Sequence, residues 1–403
     1  MSDSLSAATA EELDAPPAAE ERENPAWAAV FSLTLGVFGL VTAEFLPASL
    51  LTRIAADLGV TDGAAGQAVT ATAVVAMITA LATAIVTRGV DRRVVIWSLT
   101  VLLIISNLLA ATANGLTMLL AARVLLGIGL GGFWSMAAAT AMRLVPERLM
   151  PRAMSIILTG VSFATVSAAP VGAYLGDLVG WRTVFLLAAG VGVGALFVQA
   201  ATMPKLPPLA SPDIRTLFEL LKRPSVRMSL IAVIVAVSGH FAGFTYVRPF
   251  LEQAPRFSVE AISLVLLAYG IGGFFGNFAG AAIVERSAQM AVILGSLFIA
   301  LTAFVLVMFG GSGIVTAAAV AIWGFAFGAL PVGFQTWINR AAPDQAESAG
   351  GLLVAAFQIA IASGAVFGGL LVDGLGAQGA IGYCAAATLV GALLVQVIGR
   401  RVA

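Results

Sequence analysis

Charged side chains are scarce in this chain of 403 residues. Only 10% of its residues are Asp, Glu, Lys or Arg, whereas 60% are hydrophobic and the mean hydropathy is +1.01. A soluble domain carries about 25% charged residues, so this composition excludes a soluble globular protein and indicates one that folds in a lipid bilayer. The net charge is zero, which argues against nucleic acid as a partner.

Cysteine and histidine are almost absent. The single cysteine, Cys384, excludes a disulfide framework, and its apolar neighbours predict a buried, inert thiol. One histidine and one cysteine do not make a metal cluster, and no GxxxxGK[ST] loop points to ATP hydrolysis. No nucleophile–base or metal set lies in the apolar segments either, so we expect neither an enzyme nor a cofactor.

The first 24 residues differ from the rest of the chain. They contain seven acidic residues, one arginine and two prolines. They lack the basic start and apolar core of a secretory signal. This composition predicts a disordered acidic tail.

Charges and turn residues divide the remaining sequence into twelve apolar segments, each close to the 20 or so residues that a membrane helix needs. These segments predict an all-α membrane protein. The predicted spans are 25–51, 63–87, 94–111, 116–142, 153–176, 183–203, 228–250, 261–284, 287–309, 314–339, 348–372 and 377–399.

Lysine and arginine predict the orientation of these spans. With the N-terminus in the cytoplasm, 16 basic residues fall in inner segments and 4 in outer ones, and Arg123 lies within a span. Because basic residues favour the cytoplasmic side, we expect a multi-pass cell-membrane protein with both termini cytoplasmic.

Two halves of six spans are predicted, 25–203 and 228–403, joined by a polar, proline-rich cytoplasmic linker at 204–227. Internal similarity supports a duplication. Arg143 and Pro146 correspond to Arg340 and Pro343, and the motif D-x-x-G at 177–180 recurs at 373–376. Repeated halves of six spans are typical of transporters whose substrate site lies at the midplane between the halves.

Several motifs resemble those of the major facilitator superfamily, specifically its twelve-span drug/proton antiporter branch. The sequence RVLLGIG at 123–129 resembles the R-x-x-x-G-x-G element of span four, and Gly180-Trp181-Arg182 resembles the G-W-R turn after span five. Within this branch, longer stretches at 133–156, 244–250, 322–338 and 344–358 are similar to purine ribonucleoside exporters. The resemblance covers residue 25 to the end. It implies a major facilitator fold and spans one and four bordering a central cavity.

The segment VTAEFLPASL places a carboxylate, Glu44, in span one. Glu44 and Arg123 each lie about 10 Å below the outer end of their span, at 1.5 Å per residue. A charge within a bilayer is usually paired or functional. Our hypothesis is that Glu44 takes up a proton when the cavity opens outward and thereby loosens its ion pair with Arg123. The alternatives are a static ion pair between spans one and four, or a Glu44 side chain that points to the headgroups.

The only histidine, His240, lies near the centre of span seven. Because histidine titrates near neutral pH, it is a second candidate proton carrier. It could instead hydrogen-bond the substrate, or form a neutral hydrogen bond to a neighbouring helix.

Aromatic and polar side chains near the midplane are candidate substrate contacts, because aromatic rings stack on flat bases and polar groups in spans must face protein or cavity. The aromatic candidates are Phe133, Trp134, Phe241, Phe244, Trp323, Phe327 and Phe357, and the polar ones are Ser135, Tyr269, Asn277, Gln335 and Gln358.

Two further features concern packing. We expect Arg248, at the end of span seven, to extend to the headgroups, with a gate at the outer mouth as the alternative. The glycine-dense segments 127–132 and 270–276 predict close helix contacts.

The resemblance implies a monomeric, proton-coupled antiporter that exports small polar solutes by alternating access, with purine ribonucleosides as the expected substrate. Efflux of sugars or drugs would use the same fold with a different cavity, and uptake by proton symport is a further possibility. A non-transporting membrane sensor is the remote alternative, since neither tail nor linker offers an effector domain.

Overall fold

The computed structural model describes residues 24–208 and 214–402. The predicted acidic tail, apart from Asn24, and residues 209–213 of the predicted linker lie outside the described residues. Within the described part of the chain the regular structure is helical, and no residue there is assigned to a strand.

Fourteen α-helices follow one another in the described residues. Six precede the linker: α1 (Trp27–Leu58), α2 (Asp62–Val86), α3 (Arg92–Ala111), α4 (Leu116–Leu144), α5 (Met150–Leu178) and α6 (Trp181–Thr202). The short helix α7 (Ile214–Lys222) lies in the linker. Seven follow it: α8 (Pro224–Thr245), α9 (Val247–Gln253), α10 (Val259–Arg286), α11 (Ala288–Phe309), α12 (Gly313–Ala341), α13 (Ala346–Leu375) and α14 (Ala377–Val402).

Twelve of these helices are long and apolar enough to cross a membrane, counted over the described residues. The predicted all-α architecture of twelve spans is therefore confirmed. The largest difference at a helix end is in α1, which continues seven residues beyond the predicted 51 to Leu58. The extension is possible because its charges are paired, Arg53 with Asp177 and Asp57 with Arg182.

Predicted span seven, 228–250, is not one helix. The structure ends α8 at Thr245 and begins α9 at Val247, with Tyr246 between them. Pro249 explains the break, because a proline has no N–H to donate and its ring clashes with the carbonyl four residues earlier. The helix is therefore interrupted at Tyr246, whose side chain is fully buried.

We refer to residues 25–203 and 228–403 as the N-terminal and C-terminal halves. Two pairs of helices form the principal contacts between the halves, α2 with α13 and α5 with α10. We call these contacts the α2/α13 seam and the α5/α10 seam. We call the end of the bundle that holds residues 248–256 the Arg248 end, and the opposite end the linker end.

The internal repeat found in the sequence is visible in the backbone. A short 3-10 helix, Glu147–Leu149, follows Pro146, and a second one, Pro343–Gln345, begins at Pro343. Gly180 and Gly376 both have positive φ, 84° and 76°, a conformation that glycine adopts without steric cost. Each of these glycines therefore ends one long helix and allows the next to begin at once.

Glycine brings α10 and α12 into close contact. A methyl group at Gly276 would lie 2.7 Å from the carbonyl carbon of Phe325, and one at Gly280 would lie 2.7 Å from the Cα of Ala329. Gly127 and Gly131 on α4 approach the backbone of α2 in the same manner. Both glycine-dense segments thus make the close helix contacts predicted from the sequence.

We expect Gly276→Ala to lower stability, because the added methyl group forces α10 away from Phe325, and overpacking of this kind costs about 1–3 kcal/mol. The measurement is the apparent Tm of purified protein in detergent. Gly194→Ala on α6 is the matched control, since no atom lies within 4 Å of the position a methyl group would take there. Equal melting temperatures for the two variants would contradict this packing.

Candidate functional site

A cavity of about 450 Å³ lies between the two halves. This volume is within the range of about 300–1,000 Å³ that small-molecule sites occupy. Helices α1 and α5 line it from the N-terminal half, and α8, α10 and α12 from the C-terminal half. Its α5 residues, 158–169, lie around the middle of that helix, and its α12 residues, 327–336, lie in the half of α12 that leads to the linker end.

Five aromatic side chains line this cavity, and four of them form one wall: Phe45, Phe244, Tyr269 and Phe327, with Phe274 as the fifth lining ring. Phe45 meets Phe244 edge to face with ring centroids 5.6 Å apart, and Phe244 lies 5.0 Å from Tyr269. Phe45, Phe244 and Tyr269 thus form a chain of ring contacts of the kind that stabilises aromatic clusters.

Neutral polar groups lie among the apolar residues that line the rest of the cavity, such as Leu158, Val161 and Val332. Asn277 and Gln335 contribute amides, and Ser162, Thr165 and Thr336 contribute hydroxyl groups. No Asp, Glu, Lys or Arg is among the lining residues. The arrangement can bind an uncharged solute that combines an aromatic face with hydrogen-bonding edges.

The three candidates from α4 do not line this cavity. Phe133 is 2% exposed and lies against Gly36, in the core of the N-terminal half. Trp134 packs against the same core, and the Ser135 hydroxyl donates to the Gly132 carbonyl of its own helix at 2.9 Å. The expectation that they face the cavity is corrected, because this stretch of α4 turns towards the core of its own half.

Other predicted contacts lie behind the cavity wall. Trp323 is fully buried, and Phe241 packs edge to face against Phe327 at 6.0 Å. Phe357 lies edge to face against Phe334, 6.1 Å away. Trp323 and Phe241 pack against the lining residues Tyr269 and Phe327, whereas Phe357 contacts Phe334, and none of the three candidates lines the cavity.

His240 is enclosed by aromatic side chains. Its ring stacks on Phe327 with centroids 3.6 Å apart and 6° between the planes. The Trp323 indole N–H donates to His240 Nδ1 at 3.0 Å, and the Tyr269 hydroxyl lies 3.3 Å from Nε2. His240 therefore holds Phe327 and Tyr269, two residues of the cavity wall, in position.

These contacts fix the protonation of the imidazole. A tryptophan N–H can only donate, so His240 Nδ1 must accept and the single ring proton of the neutral form lies on Nε2. In an imidazolium, His240 Nδ1 would also carry a proton, and this N–H would point at the N–H of Trp323. Of the three interpretations, the geometry favours the neutral imidazole bonded to a neighbouring helix, and it disfavours proton carriage by His240 in this conformation.

Arg123 is fully buried, but it does not pair with Glu44 here. Its Nη1 donates to the Ala43 carbonyl at 3.0 Å, its Nη2 lies 3.4 Å from the Ser106 hydroxyl, and its guanidinium lies 4.9 Å from the Phe185 ring centroid. The expected ion pair is absent because consecutive residues of a helix point about 100° apart. Arg123 lies at the depth predicted, but it meets the backbone beside Glu44 instead of the carboxylate.

The Glu44 side chain is partly exposed, and it meets the opposite half of the protein. Its carboxylate lies near the side chain of Gln358 on α13. Gln358 is 5% exposed, and its Oε1 atom has no hydrogen-bond partner. Within the described residues no ion pair includes Glu44, so the group beside this acid is a neutral amide.

Arg248 does not extend to the headgroups, and that prediction is wrong. The side chain is fully buried and pairs with Asp177 at 2.7 Å and Glu252 at 2.8 Å. Its Nη1 also donates to the Ser49 carbonyl at 2.5 Å. Because Ser49 and Asp177 belong to the N-terminal half, Arg248 joins the two halves, as the alternative interpretation of a gate requires.

Among the aromatic and polar lining residues, sequence reasoning missed Phe45, Ser162, Thr165, Phe274 and Thr336. Phe45 directly follows Glu44, and the two α5 residues are three positions apart and so lie on one face of the helix. The pair Ser162 and Thr165, on one face of an apolar span, was the sequence signal that could have identified these two lining residues. Of the predicted contacts, Phe244, Tyr269, Asn277, Phe327 and Gln335 do line the cavity.

The model of the Major Facilitator Superfamily matches residues 33–364, which is most of the chain. This chain belongs to the major facilitator superfamily. Among its relatives in the superfamily, the purine ribonucleoside efflux pump NepI of Shigella sonnei is 44% identical over 371 residues, which cover 92% of this chain and 94% of the relative. The NepI protein of Escherichia coli strain K12 is 43% identical over the same shares. The superfamily and these relatives are transporters rather than enzymes.

Solved structures of the superfamily share the fold. A bacterial homolog of the human lysosomal transporter Spinster superposes with a TM-score of 0.73 at 17% identity, over 92% of this chain and 95% of that one. The human organic anion transporter MFSD10 gives a TM-score of 0.67 at 18% identity, over 95% and 100% of the two chains. At these identities the likeness concerns the fold alone.

We expect Trp323→Phe to lower stability by about 1–3 kcal/mol, since the variant leaves the buried His240 Nδ1 without a donor. The apparent Tm in detergent measures the effect. Trp97→Phe is the matched control, because the buried Trp97 Nε1 has no partner to lose. A Trp323→Phe variant no less stable than Trp97→Phe would show that the hydrogen bond contributes nothing.

Proposed function

We propose that this transporter exports purine ribonucleosides in exchange for protons by alternating access. It acts as a monomer in the inner membrane of a bacterium, with both termini in the cytoplasm. The observation that carries the proposal is the uncharged cavity with one aromatic wall and facing amides. Identity of 43–44% to relatives named purine ribonucleoside efflux pumps supports the same substrate class.

The chemistry of the cavity suits a purine nucleoside. Aromatic rings stack on the face of a base, and the wall formed by Phe45, Phe244, Tyr269 and Phe327 offers such a surface. Asparagine and glutamine pair with the hydrogen-bonding edge of a purine, which gives Asn277 and Gln335 a role. The hydroxyls of Ser162, Thr165 and Thr336 match the polarity of a ribose.

The distribution of basic residues supports an orientation with the Arg248 end on the outer side of the membrane. At this end Arg248 joins the two halves, and the cavity lies between them around the middle of α5 and α10. In this assignment the structure represents a state in which the halves are joined at the outer side of the membrane. Opening of the Arg248 end would then expose the same site to the exterior.

Glu44 is the residue that we assign to proton coupling. Its carboxylate meets Gln358 across the halves, and the Gln358 Oε1 atom lacks a partner. The amide N–H group donates to an ionised carboxylate, whereas a protonated carboxyl group can donate to Oε1. Protonation therefore changes a hydrogen bond that connects α1 with α13, and it need not involve Arg123.

We expect Phe327→Ala and Asn277→Ala each to raise the KM for labelled inosine about tenfold, because a stacking or hydrogen-bonding contact contributes about 1–3 kcal/mol. Uptake into inverted membrane vesicles measures this. Phe163→Ala on α5 is the matched control, because Phe163 is 65% exposed and does not line the cavity. If labelled sugars or hydrophobic drugs are taken up and inosine is not, the substrate assignment is wrong.

We expect Glu44→Gln to abolish accumulation of inosine in inverted vesicles with an acidic interior, because an amide cannot carry the proton. Counterflow of labelled against unlabelled inosine needs no proton gradient and should remain. Accumulation by Glu44→Gln at the wild-type level would exclude Glu44 as the coupling residue. Loss of both activities would instead indicate a structural role.

A further inference from the structure

The duplicated D-x-x-G motif has no role in the mechanism above, although both of its aspartates occupy an unusual position. Asp177 lies in the last turn of α5 and Asp373 in the last turn of α13. A carboxylate is unfavourable at a helix C-terminus, which carries partial negative charge. Each aspartate therefore needs a compensating partner, and both find one on the opposite half at the Arg248 end.

Asp177 is compensated by arginines. Its Oδ2 accepts from Arg248 Nη2 at 2.7 Å, and its Oδ1 pairs with Arg53. The Asp177 side chain is 9% exposed and that of Arg248 is fully buried. Because Arg248 belongs to α9, immediately before α10, this contact closes the α5/α10 seam.

Asp373 is compensated by the beginning of a helix. Its Oδ1 accepts from the Gly63 backbone N–H at 3.0 Å, and its Oδ2 accepts from the Thr61 hydroxyl at 2.9 Å. The first N–H groups of a helix have no partner within it, so Asp373 caps α2 from the other half. A methyl group at Gly63 would lie 2.6 Å from the Gly369 carbonyl oxygen, which shows how closely the α2/α13 seam is packed there.

We infer that Asp177 and Asp373 are a matched pair of positioning residues, each of which holds one of the two seams closed at the Arg248 end. The repeat supplies the same carboxylate at the end of both helices, whereas the partners differ: an ion pair at one seam and a helix N-terminus at the other. Opening of this end requires both contacts to break. The inference does not depend on the substrate or on proton coupling.

Distances between spin labels test it without substrate or pH gradient. One label pair, at Val179 and Leu264, spans the α5/α10 seam, and another, at Ala64 on α2 and Leu375 on α13, spans the α2/α13 seam. Cys384 is fully buried and is replaced by alanine, so that only introduced cysteines react. Double electron–electron resonance is measured in lipid nanodiscs.

We expect Asp177→Asn to populate a longer distance across the α5/α10 seam and Asp373→Asn to do so across the α2/α13 seam. Loss of a charge-assisted hydrogen bond should raise the ratio of open to closed molecules about tenfold or more. The double variant should open both seams. Asp57→Asn is the matched control, since Asp57 lies at the same end but pairs with Arg182 within its own half.

Wild-type distances in both Asp177→Asn and Asp373→Asn would overturn the inference, and so would an equal shift in Asp57→Asn. Because Asp177 is nearly buried, its variant could misfold, so Arg248→Lys, which keeps the positive charge, and Thr61→Val test the two contacts from the partner side. They should shift the same distances in the same direction. Size-exclusion profiles and the apparent Tm show whether each variant is folded.

Discussion

A polar group within a bilayer has no water to bind, so it must find its partner inside the protein. In this transporter the partners come from other helices. Arg123 on α4 binds the backbone of α1, His240 on α8 binds Trp323 on α12, and Arg248 on α9 binds Asp177 on α5. Each polar residue therefore fixes the position of one helix against another, and the shape of the cavity depends on these few contacts.

The same constraint keeps the charged side chains of the spans out of the cavity lining. The ionisable residues of the spans are used between helices or, like Glu44, at a contact between the halves, and the cavity itself is lined by aromatic rings, amides and hydroxyls. An uncharged ligand can enter such a cavity without leaving a buried ion unpaired. Substrate recognition and proton coupling can then be performed by different residues that lie close together, since Phe45 lines the cavity and Glu44 precedes it.

The length and spacing of apolar segments predicted the twelve spans and their approximate ends, because every membrane helix must meet the same thickness of lipid. The direction of a side chain around its helix was not predictable in this way. Arg123 was placed at the right depth but meets Ala43 rather than Glu44, and Phe133 turns into its own half. Arg248 was expected at the headgroups because the spacing of apolar segments does not reveal its ion-pair partners. Its contacts with Asp177 and Glu252 depend on how the helices pack in three dimensions.

The duplicated aspartates show how a repeat can be retained in form while its chemistry diverges. Both carboxylates occupy the same place in their half, and a glycine with positive φ follows three residues later. Their partners are not equivalent, because the N-terminal half presents the start of α2, whereas the C-terminal half presents Arg248 on a helix that Pro249 has broken. The break at Tyr246 thus gives one seam a buried ion pair where the other has a helix cap. An ion pair and a cap differ in how much desolvation each requires to re-form, so the two seams need not open with equal ease even though the fold that carries them is nearly symmetric.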